Sequence, residues 1–99
     1  MLKSLSEFTE EDLQEIFNLA ALFFTPREIA SIRGFETNPF IEACDTEGTK
    51  FYEYFDGGRK QGEIDIRKGI IKMAAAGSTP AQTMAMDLLK QSKLKMMDR

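Results

Sequence analysis

The sequence predicts an all-α fold of about five helices: an N-terminal helix-turn-helix, then a long helix and a C-terminal helix. Three observations predict it. Apolar residues recur at intervals of three and four along most of the chain. Helix-start signatures stand at Thr9, Thr25, Asn38 and Thr79: a capping side chain, followed by Pro or by an acid or Gln three residues on. No stretch alternates with period two beyond a few residues. "EIDIRKGII" does so briefly, inside a longer helical period.

The first helix is expected from about Glu10 to Phe23 or Phe24, with Leu13, Ile16, Phe17, Ala20, Phe23 and Phe24 on one face. "FTEEDL" and "FTPREI" share one start signal. The Thr caps free backbone N–H groups, the acid reaches back, and the Phe before the cap packs on the aliphatic residue after it. The second helix starts at Thr25 with Pro26 in its first turn, where a missing N–H is harmless, and stops at Gly34, a residue suited to a left-handed cap. Asn38-Pro39 opens a short third helix ending by Gly48. Then Phe51, Phe55, Gly58, Gly62, Ile66, Ile70 and Met73 form one helical stripe, read as core and subunit contact. Gly57, Gly58 and Gly62 each weaken a helix by up to ~1 kcal/mol relative to Ala. Either the helix breaks near Gly57-Gly58, or the stripe glycines let another helix approach closely; the second reading is preferred, since Gly58 and Gly62 lie on the stripe. Gly77 ends this helix. Thr79-Pro80 starts the last, with Ala81, Met84, Ala85, Leu88 and Leu89 facing inward and a basic tail, "KQSKLKMMDR", expected to fray.

With 99 residues the chain is read as a single helical domain, the helix-turn-helix part spanning about 9–47 and a helical hairpin for assembly about 48–95. A core this small leaves room for partner subunits to add stability. The longest apolar run, Leu19 to Phe24, is too short for a membrane span. The opening "MLKSLSEFTEEDL" has no apolar signal segment, and Cys44 has no second cysteine to pair with, so a reduced cytoplasmic setting is expected. Residues 1–50 hold four basic and ten acidic side chains, a net of −6; residues 51–99 hold nine and six, a net of +3. The basic side chains Arg59, Lys60, Arg67, Lys68 and Lys72 are either a solvated helix face, a lining for a DNA backbone, or partners for the acidic half of a neighbouring subunit.

The residue types that carry most catalysis are missing. Without histidine there is no imidazole base, no Cys–His pair and no ordinary zinc site. "GGRKQGEI" lacks the Lys-Ser/Thr of a phosphate loop, "DTEG" lacks calcium-ligand spacing, and Glu10, Glu11 and Asp12 fit a helix N-terminus as dipole partners. The expectation is a non-enzymatic protein with no cofactor and no metal.

"TPREIASIRGFETNPFIEAC" has the parts of a helix-turn-helix: a backbone-crossing helix over Thr25 to Arg33, a turn "GFET", and a second helix opened by Asn38-Pro39. Ile29, Ile32, Phe35, Phe40 and Ile41 would fill the seam around Ala30. With the motifs that follow, namely Tyr54-Phe55, Gly58-Arg59, Glu63 and Arg67, Ala75-Ala76-Gly77-Ser78, and Ala81 with Leu88-Leu89, the chain resembles the small-terminase-subunit and related homeodomain-like proteins of tailed phages and prophages. The resemblance covers about residues 13–92 through loose motifs.

The resemblance implies a protein of the bacterial host cytoplasm that binds packaging sites on viral double-stranded DNA, forms a homo-oligomer and serves a large terminase ATPase-nuclease subunit. Asn38 and Thr37 are the side chains suited to base edges, and Arg27, Arg33 and Lys50 to phosphates. The chain departs from a strong DNA reader because "PFIEACD" offers no Arg or Lys to a major groove. Two other readings stay open: a small dimeric helix-turn-helix transcription regulator, and a helical protein-interaction module without nucleic acid, for which Met84, Met86, Met96 and Met97 would supply adaptable contacts.

Overall fold

A computed structural model describes residues 2–97. Among them are five α-helices and no strand: α1 Glu10–Ala21, α2 Pro26–Arg33, α3 Thr37–Cys44, α4 Lys50–Ala75 and α5 Thr79–Met97, preceded by a 3-10 turn over Leu5–Glu7. The chain divides into two compact units at Glu63/Ile64, within the span of α4.

The expected capping boxes form at both Phe-Thr signals. Thr9 Oγ1 accepts from the Asp12 N–H and Thr25 Oγ1 from the Glu28 N–H, each at 3.2 Å, and each acid accepts from the cap N–H in return at 2.9 Å. Phe8 and Phe24 pack with Leu13 and Ile29 in one core cluster. The boundary between α1 and α2 corrects the sequence reading. α1 ends at Ala21, not at Phe23 or Phe24, and Phe23 takes φ 68°, the left-handed conformation usually left to glycine. Its N–H donates to Ala20 O at 2.9 Å and that of Phe24 to Leu19 O at 3.3 Å, so two of the carbonyls left free at the helix end are satisfied. The Arg59 guanidinium lies 5.8 Å from the ring centroids of both Phe23 and Phe55 and holds this corner from the α4 side.

Gly34 stops α2 at φ 75°, as expected. α3 begins one residue earlier than Asn38, with Glu36 at its cap and no side-chain capping bond, so Pro39 occupies the first turn at a position that needs no N–H donor. Ile32, placed in the seam by sequence, is instead exposed, while Ile29, Ala30, Phe35 and Phe40 are buried. An unforeseen element closes the unit: the chain at Lys3 pairs in parallel with Phe35, Lys3 N–H donating to Gly34 O at 2.8 Å and Glu36 N–H to Lys3 O at 2.9 Å. This carries Phe8 onto Phe35 (centroids 4.2 Å apart) and, edge-on, onto Phe51 (5.0 Å).

α4 does not break at Gly57-Gly58. A Cβ at Gly58 would strike the Phe17 carbonyl and lie 2.8 Å from Ala20 Cβ, and one at Gly62 would strike the Ala21 carbonyl. The glycines therefore bring the backbones of α1 and α4 together, the closer-approach reading of the stripe.

In the second unit, α4 ends at Ala75 and Gly77 turns the chain at φ 101°. Ser78, rather than Thr79, caps α5: its Oγ accepts from the Ala81 N–H at 3.4 Å, and Gln82 reaches back to Ala74 O at 3.2 Å instead of completing a box with Thr79. Within the basic tail Lys90 to Met97 are helical, and Asp98 and Arg99 lie outside the described residues. Of the five inner-face residues assigned to α5, Ala81 is buried and Ala85 and Leu88 are half-buried, while Met84 and Leu89 are exposed.

Candidate nucleic-acid interface

The α2–turn–α3 corner holds most of the side chains assigned to DNA. Thr37 and Asn38 are the first two residues of α3, and Arg33 is the last of α2. Asn38 is exposed and Thr37 half-buried. Arg27 is exposed at the other end of α2, and Lys50 is exposed at the first residue of α4. Arg33 is not a free cation: its Nη2 lies 3.6 Å from Asp12 Oδ1.

Asp12 organises this end of the unit. It is 4% exposed, and its Oδ2 receives Lys3 Nζ at 2.7 Å together with the Thr9 N–H and hydroxyl. Burial by itself raises the carboxyl pKa. The Lys3 hydrogen bond, the Thr9 backbone and hydroxyl bonds and the Lys3 charge outweigh it, and the value falls from 3.8 to about 2. Two cations thus share one buried carboxylate, leaving one formal positive charge beside the turn. Sequence reading treated Asp12 as a dipole partner and missed Lys3, because nothing local couples residues nine apart across a turn.

The outward side of α3 has different chemistry. Asn38, Glu42 and Asp45 are exposed at spacings of four and three, and the last turn holds no base. Cys44 points inward, and burial pushes its thiol pKa up to about 12. Beside it, Pro26, Ile41, Cys44 and Phe55 line a groove edged by Glu42 and Asp45.

The residues assigned to helix packing divide at Gly62. Phe51, Phe55, Gly58 and Gly62 serve the first unit internally. In the second unit Ile66 and Met73 are 51% and 58% exposed and Ile70 is half-buried. The adjoining face of α4 presents Ile64 and Ile71, also exposed, with Arg67, Lys68 and Lys72 around them.

Among the described residues no group of acids and cysteine is placed to hold a metal ion, and no helix is long and apolar enough to cross a membrane. No protein-family model, curated protein or solved structure matches this chain.

Proposed function

We propose that the chain is a non-enzymatic DNA-recognition and assembly protein of the small terminase type, phage- or prophage-derived. The observation that carries this reading is a division of labour. The first unit buries its core around a capped helix-turn-helix, with Arg27, Asn38 and Lys50 exposed. The second unit is a helical segment that leaves Ile64, Ile66, Ile71 and Met73 exposed, a pattern suited to burial against further subunits. In this reading Asn38 and Thr37 approach base edges, Arg27, Lys50 and the Asp12-held Arg33 contact phosphates, and the assembled protein passes viral DNA to a large ATPase-nuclease subunit.

Duplex binding measured by fluorescence anisotropy at low and high salt tests the DNA half. Binding should weaken steeply with salt, and Arg27→Ala should flatten the log–log slope by about one, as loss of one phosphate contact does. Absence of duplex binding at low salt would overturn it. The acidic outward side of α3 favours a second reading, a protein-interaction module without nucleic acid, which predicts that absence.

A further inference from the structure

The basic candidates on α4 are not equivalent. Lys60 is paired with Asp56 at 2.9 Å, and Arg59 is laid over Phe23 and Phe55. Arg67, Lys68 and Lys72 have no ion pair among the described residues. They surround Ile64 and Ile71, which are 45% and 54% exposed, so this stretch of α4 is an apolar ridge with a cationic border. The groove of the first unit has the opposite character: Pro26, Ile41 and Phe55 form its apolar floor, and exposed Glu42 and Asp45 form its edge. Those acids stand at the C-terminal end of α3, where the helix dipole disfavours negative charge and no base compensates. Residues 1–63 carry six basic and thirteen acidic side chains (net −7) and residues 64–99 carry seven and three (net +4), so the sign of charge changes at the unit boundary.

We propose that the Ile64–Ile71 ridge of one copy docks in the Pro26–Ile41–Phe55 groove of a second copy, with Arg67, Lys68 and Lys72 meeting Glu42 and Asp45. The inference deepens the assembly half of the function proposed above and is independent of DNA. Charge selects the occupant: ridge against ridge sets cation on cation, whereas ridge against groove buries isoleucine on phenylalanine and sets cations against acids. The contact joins two different surfaces: made once per pair of copies it runs head-to-tail and closes into a ring or grows as a chain, and made reciprocally it closes a two-fold dimer.

The test uses two full-length variants: Arg67→Glu with Lys68→Glu on the ridge, and Glu42→Lys with Asp45→Lys on the groove. All four positions are exposed, and circular dichroism checks that each variant keeps its helices. Light scattering reads the mass. Wild type should exceed the 11.2 kDa monomer at low salt and fall toward it at high salt. Each variant alone should be monomeric, and an equimolar mixture should reassemble, because each supplies the surface that the other's reversal now fits. Recovery on mixing is the signature of a ridge-to-groove contact. An oligomer that salt and both variants leave unchanged overturns the ridge-and-groove contact and leaves assembly standing. A wild-type monomer at every concentration and salt overturns both. A monomer whose duplex binding is lost in the ridge variant assigns the ridge to nucleic acid and overturns the proposal.

Discussion

Asp12 shows how one side chain can tie a chain end to a fold. Its carboxylate completes the cap of α1, holds Lys3, and through Lys3 sets the register of the strand-like contact beside Gly34. Because its folded pKa (about 2) lies below the unfolded value, its contribution is fully present above about pH 4 and is lost as pH falls toward 2. The shift corresponds to about 2 kcal/mol at neutral pH. Urea titrations should therefore show that Asp12→Asn lowers stability by that order at pH 7 and flattens the acid limb of the wild-type profile. Gly34 makes a cleaner backbone case. A methyl there meets nothing within 4 Å, so Gly34→Ala should cost only the left-handed strain, about 1 kcal/mol. Cys44 should resist Ellman's reagent in the folded protein at pH 8 and react at once in denaturant, because a buried thiol of pKa about 12 supplies almost no thiolate.

At the scale of elements, the glycines of α4 carry unequal constraints although all are helical. Gly58→Ala and Gly62→Ala drive a methyl into a backbone carbonyl of α1, which cannot move aside as a flexible side chain can. Each should lower the urea midpoint, with a loss of about 1–3 kcal/mol. Gly69→Ala meets open space and should leave the midpoint unchanged or raise it, by up to about 1 kcal/mol from helix propensity. The periodicity of the stripe was legible in sequence, as was the reason two of its positions are glycine. Its partner was not, because α1 supplies backbone rather than a complementary pattern of side chains. The end of α1 was misread for a related reason: Phe23 continues the apolar face, and propensity disfavours a left-handed phenylalanine there. The satisfied carbonyls of Leu19 and Ala20 and the contact with Arg59 offset that strain.

At the scale of the whole molecule, the charge division sets how the protein should respond to salt. If it binds DNA through Arg27, Arg33 and Lys50 and joins copies through Arg67, Lys68 and Lys72, both activities weaken as salt rises, but through different residues. Arg27→Ala should reduce duplex affinity while leaving the solution mass unchanged; Lys68→Glu with Arg67→Glu should reduce the mass. Anisotropy and light scattering on the same samples separate the two. Asp12→Asn should also touch the DNA side, because it releases Arg33 and Lys3 from a shared counter-ion.

The sequence by itself determined the helices and most of their starts, since caps, prolines and three-four periodicity are local and act within one turn. It also placed Cys44 in the core and showed that the third helix has no base to offer a groove. Only the tertiary structure decided that Lys3 and Arg33 meet at Asp12, that α3 opens on Glu36, that α5 runs to Met97, and that the long apolar stripe divides at Gly62 into a half that fills the first unit and a half in which Ile66 and Met73 are exposed. The physical reason is that a helix period records which residues share a face, while what covers that face depends on partners distant in the chain, whose approach is set by backbone shape and charge.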